Sequence, residues 1–312
     1  MTTALITGVA GFIGSSLADA LLDRGYTVRG IDNFATGRQQ NIDSLSDRSG
    51  FSFTEADIRD ADAVADVVDG VDYVFHQAAV PSVPRSVEDP VTSTDANCTG
   101  TATVLDEARK AGVDTVVVAS SSSVYGSSKE LPKVETMTEQ PESPYALSKY
   151  YTEKLALQFS DLYDIDTVAL RYFNIFGPSQ DPEGEYAAVI PKFIDLMLAG
   201  DRPVIYGDGE QSRDFTYIEN AIQANIKAAE GDVTGEAFNV GTGGRVTVNE
   251  LVESLNELLK TEIDPIYDDP RPGDVRHSHA DISKAEELLG YEPTVGFDKG
   301  LERTIPVLKT KM

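Results

Sequence analysis

In the stretch SPYALSK, residues 143–149, a phenol at Tyr145 is followed four positions later by an ammonium at Lys149. A free tyrosine, with a pKa of about 10, is no base at neutral pH. A cation one helical turn away favours the phenolate and brings proton abstraction within working range. The two residues meet only if they share a helix face. Ser143 as N-cap and Pro144 in the first turn supply a helix start, and ALSKYYTEKLALQF continues with helical periodicity through Leu147, Leu155 and Phe159. Alone, such a spacing also describes an ordinary amphipathic surface helix. Its chemistry therefore depends on the elements around it.

The chain opens on a β-rich run, Thr3 to Thr7, then GVAGFIG, the helical pattern SSLADALLDRG, and a second strand, TVRGID, that ends in Asp32. Strand, glycine-rich turn, helix, strand and acidic residue is the order of a dinucleotide-binding unit. Gly8 permits the tight turn, Gly11 lets the main chain approach a pyrophosphate, and Gly14 lets the helix pack on the sheet. Phe12 and Ile13 lie between them, and the helix N-terminus faces the phosphates. The spacing G-x-x-G-x-x-G is one residue wider than the usual fingerprint. Asp32, with Asn33 beside it, is placed to bind the ribose hydroxyls and to repel a 2′-phosphate, which predicts NAD over NADP. Arg38, a few residues on, is the nearby cation that argues the other way.

Strand–helix alternation continues through FSFTEADI, VDYVFHQAA, the helix TGTATVLDEARKAG and DTVVVASSSSVYG. The expected fold is α/β, a Rossmann-type doubly wound parallel sheet with a smaller C-terminal α/β substrate domain. Asp57 and Ile58 follow one strand, and Gln77, Ala78 and Ala79 another. Both sets fall at strand carboxyl ends, where such sheets bind ligands. From RYFNIFGP onward glycine and proline become frequent and the rhythm loosens. The expected division is a dinucleotide-binding domain over 1–170 and a mainly substrate-binding domain over 171–312. Segments of the latter, such as FTYIENAIQANIKAAEG, should pack back on the first. A capping box, Thr247 to Glu250, starts a further helix.

Across 312 residues the chain carries 52 acidic and 26 basic side chains, a formal net charge of −26. That field repels nucleic acid and anionic membrane. The acid is spread along a chain that is 41% hydrophobic, so disorder is not its explanation. A folded protein adapted to a salt-rich cytosol is the expectation. The single cysteine, Cys98, excludes an internal disulfide, and the scattered His76, His277 and His279 form no metal cluster. No apolar run reaches the roughly 20 residues of a membrane span, and the N-terminus lacks a basic leader. A cytoplasmic protein is expected.

Taken in order, TGVAGFIG, Asp32, HQAA, Asn97 in NCTGT, SSSSVYG and PYALSK resemble the extended short-chain dehydrogenase/reductases, over essentially the whole chain. Within them the chain is most similar to the UDP-hexose 4-epimerases. The resemblance implies Tyr145 as catalytic base, Lys149 as its partner and holder of the nicotinamide ribose, and Ser121 as a hydrogen-bonding assistant, a task that Ser122 or Ser123 can share. It implies bound NAD contacting Asn97, a UDP-sugar substrate, and a homodimer formed through the two long helices of the first domain. An acidic enzyme must also build a local basic patch for a diphosphate. Arg213 and Arg271 suit that by their bidentate fork, and the resemblance adds Asn174 nearby and Asp274 on the nucleotide ribose.

Two departures bear on the sugar. Pro81 stands where some of these epimerases carry a lysine, leaving Ser82 and Arg85 as the polar groups, a pattern similar to members that handle N-acetylated sugars. Ser278 stands where glucose-restricted members carry a tyrosine, so the space an N-acetyl group needs is open. The rival lyases of this fold, 4,6-dehydratases and decarboxylases, place acid just before VYG, where this chain has Ser122 and Ser123. A non-catalytic NAD-binding sensor should have lost the tyrosine or the lysine, and both are present.

Overall fold

The computed structural model describes residues 2–181, 188–270 and 275–311. Seven strands make one sheet: β1 (Thr3–Thr7), β2 (Thr27–Asp32), β3 (Phe51–Glu55), β4 (Tyr73–His76), β5 (Thr115–Ser121), β6 (Asp166–Tyr172) and β7 (Glu236–Val240). Their order is β7-β6-β5-β4-β1-β2-β3 and every pairing is parallel. The order reverses between β1 and β4, which opens a crevice at the carboxyl ends of these two strands.

Parallel strands covered on both faces read as continuous β-branched runs, and TVVVASS in β5 is one. Its valines alternate between two cores. Val117 joins Leu17 and Leu21 of α1 (Phe12–Asp23) and Ala221 and Ala224 of the helix Ile218–Glu230. Val116 and Val118 join Val64, Val104, Leu105 and Ala156 from helices on the opposite face. Each fully buried valine contributes about 1.5–3 kcal/mol. The helix Ile218–Glu230 and β7 are drawn from the second half of the chain and complete the sheet layer.

A third core lies away from the sheet. Phe193 and Ile194 of the helix Val189–Ala199, Leu251 and Leu255 of the helix Val248–Leu259, and Leu301 and Ile305 of the helix Phe297–Lys311 close it. The Thr247 to Glu250 capping box is formed in both directions.

The helix Pro144–Leu162 starts as its sequence requires, with Ser143 Oγ accepting from the Ala146 N–H at 3.1 Å. Its buried stripe differs from the apolar period. Ala146, Ser148, Lys149, Thr152, Glu153 and Ala156 face inward, whereas Leu147 is 56% exposed. Leu155 and Phe159 are only partly buried against the core. Polar groups on the ends of β5 and β6 attract the polar stripe, and that outweighs burial of one leucine.

Candidate active site

The glycine turn is shaped by contacts that leave no room for a side chain. Gly8 has φ +72°, and a Cβ there would stand 2.7 Å from the backbone N and Cα of Ala78. At Gly14 it would collide with the Gly8 carbonyl oxygen. Gly11 is the N-cap of α1, with extended backbone and no capping side chain, so the helix N-terminal N–H groups are left for a ligand.

Asp32, at the end of β2, is 8% exposed. Its Oδ2 accepts from the Ala10 N–H at 3.0 Å and its Oδ1 from the Phe34 N–H at 2.8 Å. Burial raises its pKa, and these backbone donors oppose the rise. Each oxygen keeps a lone pair for a further donor. Arg38 turns away from it: Nη2 donates to Gln40 Oε1 at 3.1 Å and Nη1 lies 3.3 Å from Asp181 Oδ1. Asn33 donates to Asp57 Oδ2 at 2.9 Å, and the Arg59 guanidinium holds Asp57 down at about 2. A turn with no room for a Cβ at Gly8 or Gly14, an open helix N-terminus and a carboxylate with free acceptor sites fit a dinucleotide.

Beyond the turn, a cleft of about 1190 Å³ runs along the strand ends. That exceeds the roughly 300–1,000 Å³ of a single-ligand pocket and leaves room for two. Gly8, Gly11, Phe12, Ile13, Gly14, Asp32, Asn33, Asp57, Ile58, Gln77, Ala78 and Ala79 line one end. Ser82, Ser121, Ser122, Ser123, Tyr145, Asn174, Arg213 and Ser278 line the rest. Arg271 and Asp274 lie outside the described residues.

Two expected residues stand behind the wall rather than in it. Asn97 is 1% exposed; its Oδ1 accepts from the Val80 N–H at 2.7 Å and its Nδ2 donates to Ser148 Oγ at 2.9 Å. It braces the loop after β4 against the Tyr145 helix. Lys149 Nζ donates to the Ala119 carbonyl at 2.9 Å, and burial lowers its pKa to about 8. The Tyr145 phenol is raised by burial, and the Ser121 hydroxyl beside it pulls the other way. The sequence suggests that Lys149 acts on the phenol directly. In the structure Lys149 gives one of its three donors to the Ala119 carbonyl, and the Ser121 hydroxyl is the group that opposes the burial of the phenol.

Ser121 is held in turn: its Oγ accepts from the Ser123 N–H at 3.1 Å and from Ser123 Oγ at 2.9 Å. Ser86 Oγ accepts from the Tyr145 N–H at 3.1 Å and ties the helix start to the short helix Val83–Glu88. At the far end, Asn174 has φ +37° and Nδ2 donates to the Asp214 carbonyl at 3.4 Å. Arg213 Nη1 donates to the Ser212 carbonyl at 3.0 Å, and Ser278 N–H to the same carbonyl at 3.0 Å. Sequence reasoning missed Lys133 and Gln180, which also line the cleft. Neither sits in a spacing that marks it out, and only the fold brings them there. Among the described residues no cluster of His, Cys, Asp and Glu could hold a metal, and no helix is long and apolar enough to cross a membrane.

Residues 4–241 match the NAD dependent epimerase/dehydratase family. A putative UDP-glucose 4-epimerase of Methanocaldococcus jannaschii is 41% identical over 307 residues, 98% of each chain. Among solved structures, the UDP-N-acetylglucosamine 4-epimerase from Methanobrevibacter ruminantium, in complex with UDP-N-acetylmuramic acid, superposes with a TM-score of 0.96 at 40% identity, covering 100% of this chain and 99% of that one. The UDP-glucuronic acid 4-epimerase from Bacillus cereus, in complex with UDP-glucuronic acid and NAD, gives a TM-score of 0.92 at 34% identity, with 100% of both chains covered.

Proposed function

The chain belongs to the NAD dependent epimerase/dehydratase family, and on that footing we propose that it is an isomerase, an NAD-dependent 4-epimerase of UDP-hexoses. The observation that carries this reading is the Tyr145 phenol beside the Ser121 hydroxyl, on the wall of a cleft that begins at the glycine turn. Tyr145 takes the proton from the sugar 4-hydroxyl, with Ser121 sharing the hydrogen bond and Ser123 fixing Ser121. Bound NAD supplies the hydride acceptor and donor through which C4 passes as a ketone. Gly8, Gly11 and Gly14 admit the pyrophosphate to the helix N-terminus, and Asp32 takes the adenosine ribose.

Arg213, with Arg271, neutralises the sugar-nucleotide diphosphate, Asp274 holds its ribose, and Asn174, Ser82 and Ser278 border the sugar. Residues 1–170 hold the cofactor and 171–312 mainly the substrate, with β7 and the helix Ile218–Glu230 returned to the first part. A serine at 278 leaves space beside the sugar, so the substrates include UDP-N-acetylglucosamine and UDP-N-acetylgalactosamine as well as UDP-glucose and UDP-galactose. Incubation with UDP-glucose and with UDP-N-acetylglucosamine, without added NAD, followed by product identification, tests the reading. A 6-deoxy-4-keto product, or release of carbon dioxide in a parallel incubation with UDP-glucuronic acid, would replace it with a lyase.

The protein works as a cytoplasmic homodimer joined through the helices Gly100–Ala111 and Pro144–Leu162. Exposed Leu147 and Tyr151 on the latter support this interface. A monomer in sedimentation at micromolar concentration would refute it. The net charge of −26 suits a salt-rich cytosol. A melting temperature that fails to rise between dilute buffer and molar salt would count against that adaptation.

A further inference from the structure

The helix Pro144–Leu162 is not held on the sheet by apolar packing alone. Tyr145, Lys149 and Glu153 recur every four residues, so successive turns present polar side chains to the end of β5. Each meets one residue there. Tyr145 has the Ser121 hydroxyl, Lys149 the Ala119 carbonyl at 2.9 Å, and Glu153 Oε2 accepts from Ser120 Oγ at 2.8 Å.

Glu153 is 0% exposed and Arg171, on β6, 1%. Arg171 grips both carboxylate oxygens, Nε to Oε2 at 2.8 Å and Nη2 to Oε1 at 2.6 Å. The guanidinium also donates to the Tyr125 hydroxyl at 2.7 Å and to Glu139 Oε1 at 2.6 Å. The Tyr125 hydroxyl donates in turn to Asn239 Oδ1 at 2.7 Å. Lys154 Nζ, 2.6 Å from Glu139 and 3.3 Å from Glu153, completes the cluster. A forked pair enclosed in this way tolerates little slip, because displacement leaves a buried charge unpaired.

We infer that Glu153 and Arg171 are positioning residues for the proton transfer. They set the axial register of the helix against β5 and so hold the Tyr145 oxygen at Ser121. Neither lines the cleft, and they act through Ser120 and the helix backbone. The inference rests on Tyr145 being the base. The group that faces the phenol is Ser121, while Lys149, one turn on, faces Ala119. When the register loosens, the phenol parts from the hydroxyl that opposes its burial. Its ionisation then moves to higher pH, while the walls that bind sugar and dinucleotide stay in place.

The test compares Glu153→Gln with the full-length, NAD-loaded wild type. The kcat should fall about ten-fold or more with KM within about two-fold, and the acidic limb of kcat against pH should move to higher pH. Independently of turnover, ionisation of the phenol, read as the ultraviolet difference between each protein and its Tyr145→Phe derivative, should shift the same way. Should Glu153→Gln not fold, Ser120→Ala leaves the ion pair whole and should give a smaller shift in the same direction. Ser120→Thr, which keeps the hydroxyl, should restore the wild-type profile. A loss of kcat that merely tracks the folded fraction, with both profiles unmoved, overturns the inference. Retained turnover in Tyr145→Phe instead removes the base itself, and with it the epimerase mechanism.

Discussion

The two ends of the cleft are built differently. At the dinucleotide end the working groups are main-chain atoms and the carboxylates of Asp32 and Asp57, all at the carboxyl ends of the adjacent strands β4, β1, β2 and β3. The parallel ladder fixes their spacing, and the close approach of Gly8 to Ala78 leaves no room for adjustment. At the sugar end the groups are side chains on irregular segments and very short ladders. Arg213 belongs to a two-residue strand, and Ser278 hangs from the Ser212 carbonyl by its N–H. The first end is rigid and suited to a constant ligand. The second can change preference by one side chain, because little else depends on it.

Tyr145 stands where the two ends meet, and its removal should have the largest effect. Tyr145→Phe should cut kcat by about 10²–10⁴ while NAD remains bound, because only the transferable proton is lost. Residual activity above a few per cent would break the assignment. Next comes the rigid end. Gly8→Ala combines a φ of +72° with a Cβ in the Ala78 backbone and should cost roughly 1–3 kcal/mol of stability along with NAD retention. An unchanged melting temperature and cofactor content would show that the turn can yield.

Asp32→Ala should weaken NAD binding and relax discrimination against NADP, by about ten-fold or more in the ratio of the two affinities. Wild-type protein that copurifies with NADP would reverse the cofactor preference. The smallest effect on fold, and the most selective on substrate, is expected at the far end. Ser278→Tyr should suppress turnover of the N-acetylated pair by about ten-fold or more and spare UDP-glucose and UDP-galactose, since added bulk acts by exclusion. Equal loss on all four sugars would show that this end is as rigid as the other.

The legible parts of the molecule are those whose partners are near in sequence. The turn from Gly8 to Gly14, the helix behind it and Asp32 form one supersecondary unit, and local conformation dictates each member. The same holds for Ser143 and Pro144, which start the Tyr145 helix at the expected residue. Leu147 was not legible in this way. Its helical period is real, yet it says only that a face exists and not which face turns inward. Asn97 and Lys149 were found as residues but not as neighbours: one braces Val80 and Ser148, the other answers the Ala119 carbonyl.

Taken by itself, then, the order of residues determined the strand–turn–helix unit, the preference for a dinucleotide at its glycines, and a tyrosine and lysine on one helix face. Only the tertiary structure decided which stripe of that helix is buried and what opposes the burial of Tyr145. It alone showed that Glu153 and Arg171 form an enclosed pair beneath the site. The reason is physical. A glycine turn follows from φ and ψ over a few residues, whereas a buried charge is tolerable only where partners from distant strands and loops converge on it. Tyr125, just after β5, and Asn239, on β7, complete that enclosure and are brought together by the pairing of both strands with β6, and by nothing local to either.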